Sequence, residues 1–171
     1  MQYRSSSQHR NEGAVSDRHA VVVGGSIGGM LAARVLADHF DRVTVIERDQ
    51  LPDGSENRPG VPHARHLHFF FKRGLMVAEE LFPGVTADLQ AAGSHLLDQG
   101  RDFRILYRSG WSPRAEIGLE FCTFTRPLLE ATMRRHLVAN SKISLLQGFE
   151  VAGLAVSGDG ARVEGVRIQP R

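Results

Sequence analysis

The sequence predicts an α/β fold: a βαβ core with a parallel sheet, then a β-rich insertion and a terminal β-hairpin. Three observations carry this. Ala20-Val21-Val22-Val23 is a short β-branched run that ends at glycines, the pattern of a strand buried on both faces. Met30–His39 spaces Leu31, Val35 and Leu36 for one face of a helix, with small Ala32 and Ala33 between them. Arg42–Glu47 (RVTVIE) reads as a second strand. Strand, glycine turn, helix and strand in so short a stretch form a βαβ unit with parallel strands and a right-handed crossover.

The remaining elements follow in order. Residues 48–63 are rich in Pro, Gly, Asp and Asn and form a loop. Ala64–Phe82 reads as a long helix with Leu67, Phe71, Leu75, Ala78 and Phe82 on one face, stopped by Pro83-Gly84. A short helix covers Thr86–Ala92. Short β segments are expected around 95–98, 102–107 and 119–124. Pro127–Ala139 is a helix with Leu128, Leu129, Met133 and Leu137 at helical spacing, and Ile143–Gln147 is a strand. Phe149–Val156 and Arg162–Ile168 flank Ser157-Gly158-Asp159-Gly160-Ala161, which is hairpin turn chemistry.

Of 171 residues, 42% are apolar and 23% charged, an ordinary globular composition. No run approaches the ~20 apolar residues of a membrane span. Residues 1–18 are polar and lack an apolar h-region. They read as a disordered leader and not a secretory signal, so the ordered domain is expected over 19–171 and the location is expected to be cytoplasmic. The net charge of +2 is too balanced for an electrostatic nucleic-acid binder. The single cysteine, Cys122, allows no intrachain disulfide and reads as a buried strand residue.

The chemistry concentrates at Gly24-Gly25-Ser26-Ile27-Gly28-Gly29. A strand end that meets a helix N-terminus turns backbone N–H groups and the helix dipole toward a pyrophosphate. In Gly24-x-Ser26-x-x-Gly29 the first glycine allows the sharp turn. The middle position faces the phosphate, and its Ser26 hydroxyl is itself a candidate contact. The last lets helix and strand pack closely. Glu47 ends the second strand, where an acidic side chain accepts hydrogen bonds from adenosine ribose hydroxyls and disfavours a 2′-phosphate. These residues predict a Rossmann-like dinucleotide site and leave FAD and NAD both open.

The segment AVVVGGSIGGMLAARVLADHFDRVTVIERD resembles the start of FAD-dependent oxidoreductases of the flavoprotein monooxygenase type, the aromatic-hydroxylase and epoxidase superfamily. RPGVPHARHLHFFFKRG, TRPLLEATMRRHL and FEVAGLAVSGDGARVEGVRI resemble later stretches of the same family, so the resemblance spans residues 19–168. It implies bound FAD, NAD(P)H as reductant, O2 as oxidant and a small aromatic or polyprenyl-like substrate. Arg48 and Arg58, after the second strand, and Arg126, at the head of a later helix, become candidate FAD contacts with Gly24, Gly25, Ser26, Ile27, Gly28, Gly29 and Glu47. Family members are longer. The resemblance therefore implies the N-terminal part of an FAD-binding domain, inactive alone, with a further C-terminal portion encoded separately. An NAD-binding oxidoreductase or regulatory module and a non-functional gene fragment are the alternatives. No catalytic acid or base is assigned.

Other residues carry two readings each. Arg58 is either a phosphate or ribose contact or a solvated loop residue. Arg126 stands where a cation is disfavoured, at a helix N-terminus, which points to some partner for it. His63, His66 and His68 lack the convergence a metal needs, so no metal is expected. On the expected helix Arg65, His68 and Lys72 would share a face, solvated or beside a cofactor. Phe69-Phe70-Phe71 is packed core or the lining of a pocket. Trp111 caps a pocket or covers the sheet.

Overall fold

The structure is a computed structural model that describes residues 18–171. The expected leader lies outside the described residues apart from Arg18, which donates its backbone N–H to Asp41. In chain order the first elements are β1 (His19–Val23), α1 (Ile27–Leu36), β2 (Arg42–Glu47), a 3-10 turn at Pro62–Arg65 and β3 (His68–Phe71). Then come α2 (Lys72–Leu81), α3 (Val85–Ala91), β4 (His95–Asp98), β5 (Leu106–Tyr107), β6 (Gly110–Trp111) and β7 (Glu120–Phe124). The chain continues through α4 (Arg126–Val138), β8 (Ile143–Gln147), β9 (Phe149–Val156) and β10 (Val163–Pro170).

β1 and β2 pair in parallel, with Val21 opposite Thr44, and β8 extends the sheet in parallel from β2. Alternation sorts the strands: Ala20, Val22, Val43 and Val45 turn to one face, where they pack with Met30 and Ala33 of α1 and Leu129, Met133 and Leu137 of α4. The same core runs on to Phe82, Val85 and Leu89. A second sheet, β3-β7-β4, is antiparallel and joins this core through Cys122 and Phe124. β9 and β10 form the terminal hairpin.

The expected helix over Ala64–Phe82 is corrected. Only Lys72–Leu81 is α-helical, and His68–Phe71 is a strand paired with β7, Phe70 lying opposite Cys122. The helical spacing of Leu67 and Phe71 was coincidental, for both side chains are exposed. Strand alternation sends Phe70 inward instead, edge-on to Phe124 at 5.0 Å. Arg65, His68 and Lys72 therefore share no helix face. The segment expected over 102–107 shrinks to Leu106–Tyr107, a two-residue strand paired with β6.

Candidate functional site

The turn after β1 is built from glycines with distinct jobs. Gly24 has φ +98°, a left-handed conformation that a side chain would strain, and donates its N–H to Ile46 O at 2.8 Å. This leaves β1 sharply and begins α1 three residues later. At Gly29 a Cβ would stand 1.8 Å from Gly24 O, so only glycine lets α1 approach the strand this closely. α1 starts at Ile27, earlier than the pattern suggested, and brings Gly28 and Gly29 into its first turn. That turn carries no acidic residue of its own, so its unpaired N–H groups and dipole are left to an outside anion, with Glu47 and Glu130 held behind it.

In front of the turn lies a cleft of about 390 Å³, lined by Gly24, Ser26, Glu47, Arg48 and Arg58 with Phe149 and Glu150 on the hairpin side. It sits at the carboxyl ends of parallel strands, where open α/β sheets take ligands. Arg48 is exposed on its rim, and its side chain has no ion-pair partner among the described residues.

Glu47 is more committed than a free ribose acceptor. Its Oε2 accepts the Gly25 N–H at 2.7 Å, and its Oε1 accepts the Asp49 N–H at 2.9 Å. Arg58 Nη1 lies 3.3 Å from Oε1. Each carboxylate oxygen accepts two bonds, so Oε2 keeps one site. Glu47 thus holds the turn from behind as well as facing the cleft.

Arg58 corrects the solvated-loop reading. It is buried among three carboxylates: Nη1 donates to Asp49 Oδ2 at 2.8 Å and Nε donates to Glu130 Oε2 at 3.1 Å, with Glu47 beside them. Its Nη2 has no acceptor among the described residues. Burial would lower the Arg58 pKa, but Glu130, Glu47 and Asp49 outweigh it and raise it. Burial likewise works to raise Asp49, and Arg58, the Gly60 N–H and Arg171 hold it below the usual carboxylate range. Gly60 must be glycine here, since a Cβ would meet Asp49 Oδ2 at 2.3 Å.

Arg126 finds its partners within the protein. Its Nε donates to Glu130 Oε1 at 2.9 Å, and its Nη2 donates to Ser26 Oγ at 2.8 Å. Ser26 Oγ in turn donates to Glu130 Oε1 at 2.7 Å. The hydroxyl expected to reach a phosphate spends its one proton on Glu130, which leaves the backbone N–H groups as the donors of the turn. Burial works to raise Glu130, and Ser26, Arg126 and Arg58 together hold it below its ordinary value.

Glu130, Asp49 and Gly60 escaped the reading of the sequence. Glu130 lies on the core-facing side of α4 amid apolar neighbours, and its partners stand 72 and 104 residues away. The signal available was a lone acidic residue four positions after Arg126. The remaining candidates are elsewhere. Trp111 is exposed with Arg104 over its ring at 5.2 Å, and Cys122 is buried with its thiol pushed up by burial. Phe69 and Phe71 line a separate apolar hollow with Leu67, Leu97, Phe103 and Phe121. The rings of His63 and His68 lie tilted against each other with centroids 5.8 Å apart, and neither lines the cleft.

No protein-family model matches the chain. It is 40% identical over 133 residues to Protein Rv3254 of Mycobacterium tuberculosis, a match that covers 75% of this chain and 28% of that protein. Among solved structures, it is similar to PqsL of Pseudomonas aeruginosa, a probable FAD-dependent monooxygenase. The TM-score is 0.62 at 16% identity, over 88% of this chain and 38% of that one. It is also similar to 2-methyl-3-hydroxypyridine-5-carboxylic acid oxygenase, with TM-score 0.58 at 20% identity, over 91% of this chain and 38% of that one. The chain therefore spans well under half the length of the proteins it matches, and over that span it has the α/β fold found in these oxygenases.

Proposed function

We propose that this chain supplies the dinucleotide-binding side of a flavin-dependent oxidoreductase, a monooxygenase that uses NAD(P)H and O2 on a small organic substrate. One observation carries the reading: a glycine turn, a helix N-terminus without acidic residues and a buried arginine with an unpaired Nη2 surround one cleft at the strand ends. The likeness in fold to FAD-dependent oxygenases supports FAD over NAD.

The residues present fit an adenine dinucleotide. The N–H groups of Ile27, Gly28 and Gly29 would face its pyrophosphate, and Gly24 and Gly25 would let the backbone come close. Glu47 would take a ribose hydroxyl with its remaining acceptor site, and a 2′-phosphate would meet that same carboxylate. Arg48 would lie over the rim as a mobile cation. Arg58 and Arg126 would offset the carboxylates behind the turn. When bound, FAD supplies the hydride and oxygen chemistry, and the chain's own residues bind and orient it.

The test is the absorbance of the purified chain during titration with FAD and, separately, with NAD. Saturable uptake of one FAD per chain supports the reading. A protein that takes up NAD and no FAD would overturn it in favour of a nicotinamide site.

A further inference from the structure

Glu130 has no counterpart in what the cleft needs. A buried anion behind a turn that receives a phosphate opposes the ligand by simple Coulomb repulsion. Yet this carboxylate is 5% exposed and is reached by three groups from three parts of the chain: Ser26 Oγ from the turn, Arg58 Nε from the loop after β2, and Arg126 Nε from the head of α4.

The division of donors is specific. Glu130 takes the Nε–H of both arginines, one on each oxygen. Arg126 Nη2 is bound by Ser26, and Arg58 Nη1 by Asp49. Two guanidiniums are thereby locked by one carboxylate, while Asp49 and Glu47 share the charge of Arg58. The Ser26 side chain makes no capping bond to α1, although Ser26 is its N-cap residue. Its hydroxyl is diverted to α4. A glycine at this middle position would leave the turn unattached to Glu130.

We propose that Glu130 is a positioning residue for the phosphate turn: it ties Ser26, Arg58 and Arg126 into one unit that sets the turn and the guanidiniums beside it for a pyrophosphate. This rests on the dinucleotide reading above. It also explains why serine can stand at the middle position, for the side chain is held behind the turn rather than in front of it.

The experiment uses the full chain with Ser26→Ala, Ser26→Thr, Ser26→Gly, Glu130→Gln and the Ser26→Gly/Glu130→Gln double variant. Two measurements are made on each, nitrogen-15 NMR of arginine Nε–H groups without ligand and fluorescence titration with FAD. The wild type should show two protected Nε–H signals, assigned through Arg58→Lys and Arg126→Lys, and Glu130→Gln should lose at least the Arg58 signal. FAD affinity should fall about tenfold or more in Ser26→Ala, Ser26→Gly and Glu130→Gln, and Ser26→Thr should restore it. The Ser26→Gly/Glu130→Gln double variant should be no worse than the poorer single variant, because both break one unit. Ser26→Ala should lose affinity with little change in melting temperature, which a merely structural role would not do.

Absence of the two signals in the wild type, or unchanged FAD affinity in Ser26→Ala and Glu130→Gln, overturns the proposal. A wild type with both signals and no FAD uptake refutes the flavin reading instead. Inorganic pyrophosphate, titrated in parallel, then decides: weaker binding in the same two variants upholds the positioning role, and equal binding overturns it.

Discussion

The glycine-turn region and the arm over residues 99–118 solve the same problem in opposite ways. Both rest on a buried carboxylate that gathers donors. At the turn, Glu47, Asp49 and Glu130 bind backbone N–H groups and also three arginines, and the surrounding side chains are closed in by α1, α4 and the sheet. In the arm, Asp98 accepts the N–H groups of Gly100, Arg101, Ile117 and Gly118 and folds the chain back on itself. Little packing follows beyond the edge of Phe103 against Phe121, and Phe103, Leu106, Tyr107, Trp111 and Ile117 remain exposed. Hydrogen bonds to one carboxylate are enough to give a loop its shape, but burial decides which region carries stability.

Perturbations should therefore cost much at the turn and little in the arm. Glu130→Ala should have the largest effect, about 3–5 kcal/mol in urea unfolding, because it leaves the buried Arg58 and the half-buried Arg126 without their shared partner. Acid should come next. Asp49 and Glu130 are held below their ordinary values. Groups with depressed folded pKa values contribute stability that is present above the unfolded value of about 4 and lost as pH falls through the folded one. The melting temperature should stay level from pH 7 to about 5 and drop below about 4.

Gly29→Ala should destabilise by about 1–3 kcal/mol, since its Cβ would overlap Gly24 O and push α1 off β1. A melting curve superimposable on the wild type would show that the turn is looser than its geometry. Trp111→Ser, in the arm, should change stability by no more than about 0.5 kcal/mol. A larger loss would mean that the arm is packed after all, and the contrast between the two regions would fail.

The same contrast explains what could be seen in the sequence. β1, α1 and β2 were legible because their signals are local: β-branched runs, a glycine turn and apolar spacing within one βαβ unit. The observed bounds of β2, Arg42–Glu47, and of β8, Ile143–Gln147, coincide with the expected ones, while α1 starts three residues before its expected Met30. β3 was illegible because His68–Phe71 takes its conformation from β7, about 50 residues later, and helical spacing over Leu67 and Phe71 pointed the wrong way. At the site, the roles of Gly24 and Gly29 follow from a local motif. The network behind them does not, since Ser26, Arg58 and Glu130 meet only when α4 is laid against α1. Arg126 shows the limit most clearly. Its position announced a missing partner, and the fold supplies Glu130 and Ser26.

We propose that the cleft before the turn takes the ADP half of a dinucleotide. Competition calorimetry on the full chain tests it, with FAD as the ligand and ADP and FMN as competitors. ADP should displace FAD and FMN should not, because the glycine turn, Glu47 and Arg58 meet only the part that FAD and ADP share. Displacement by FMN, or none by ADP, would contradict the claim.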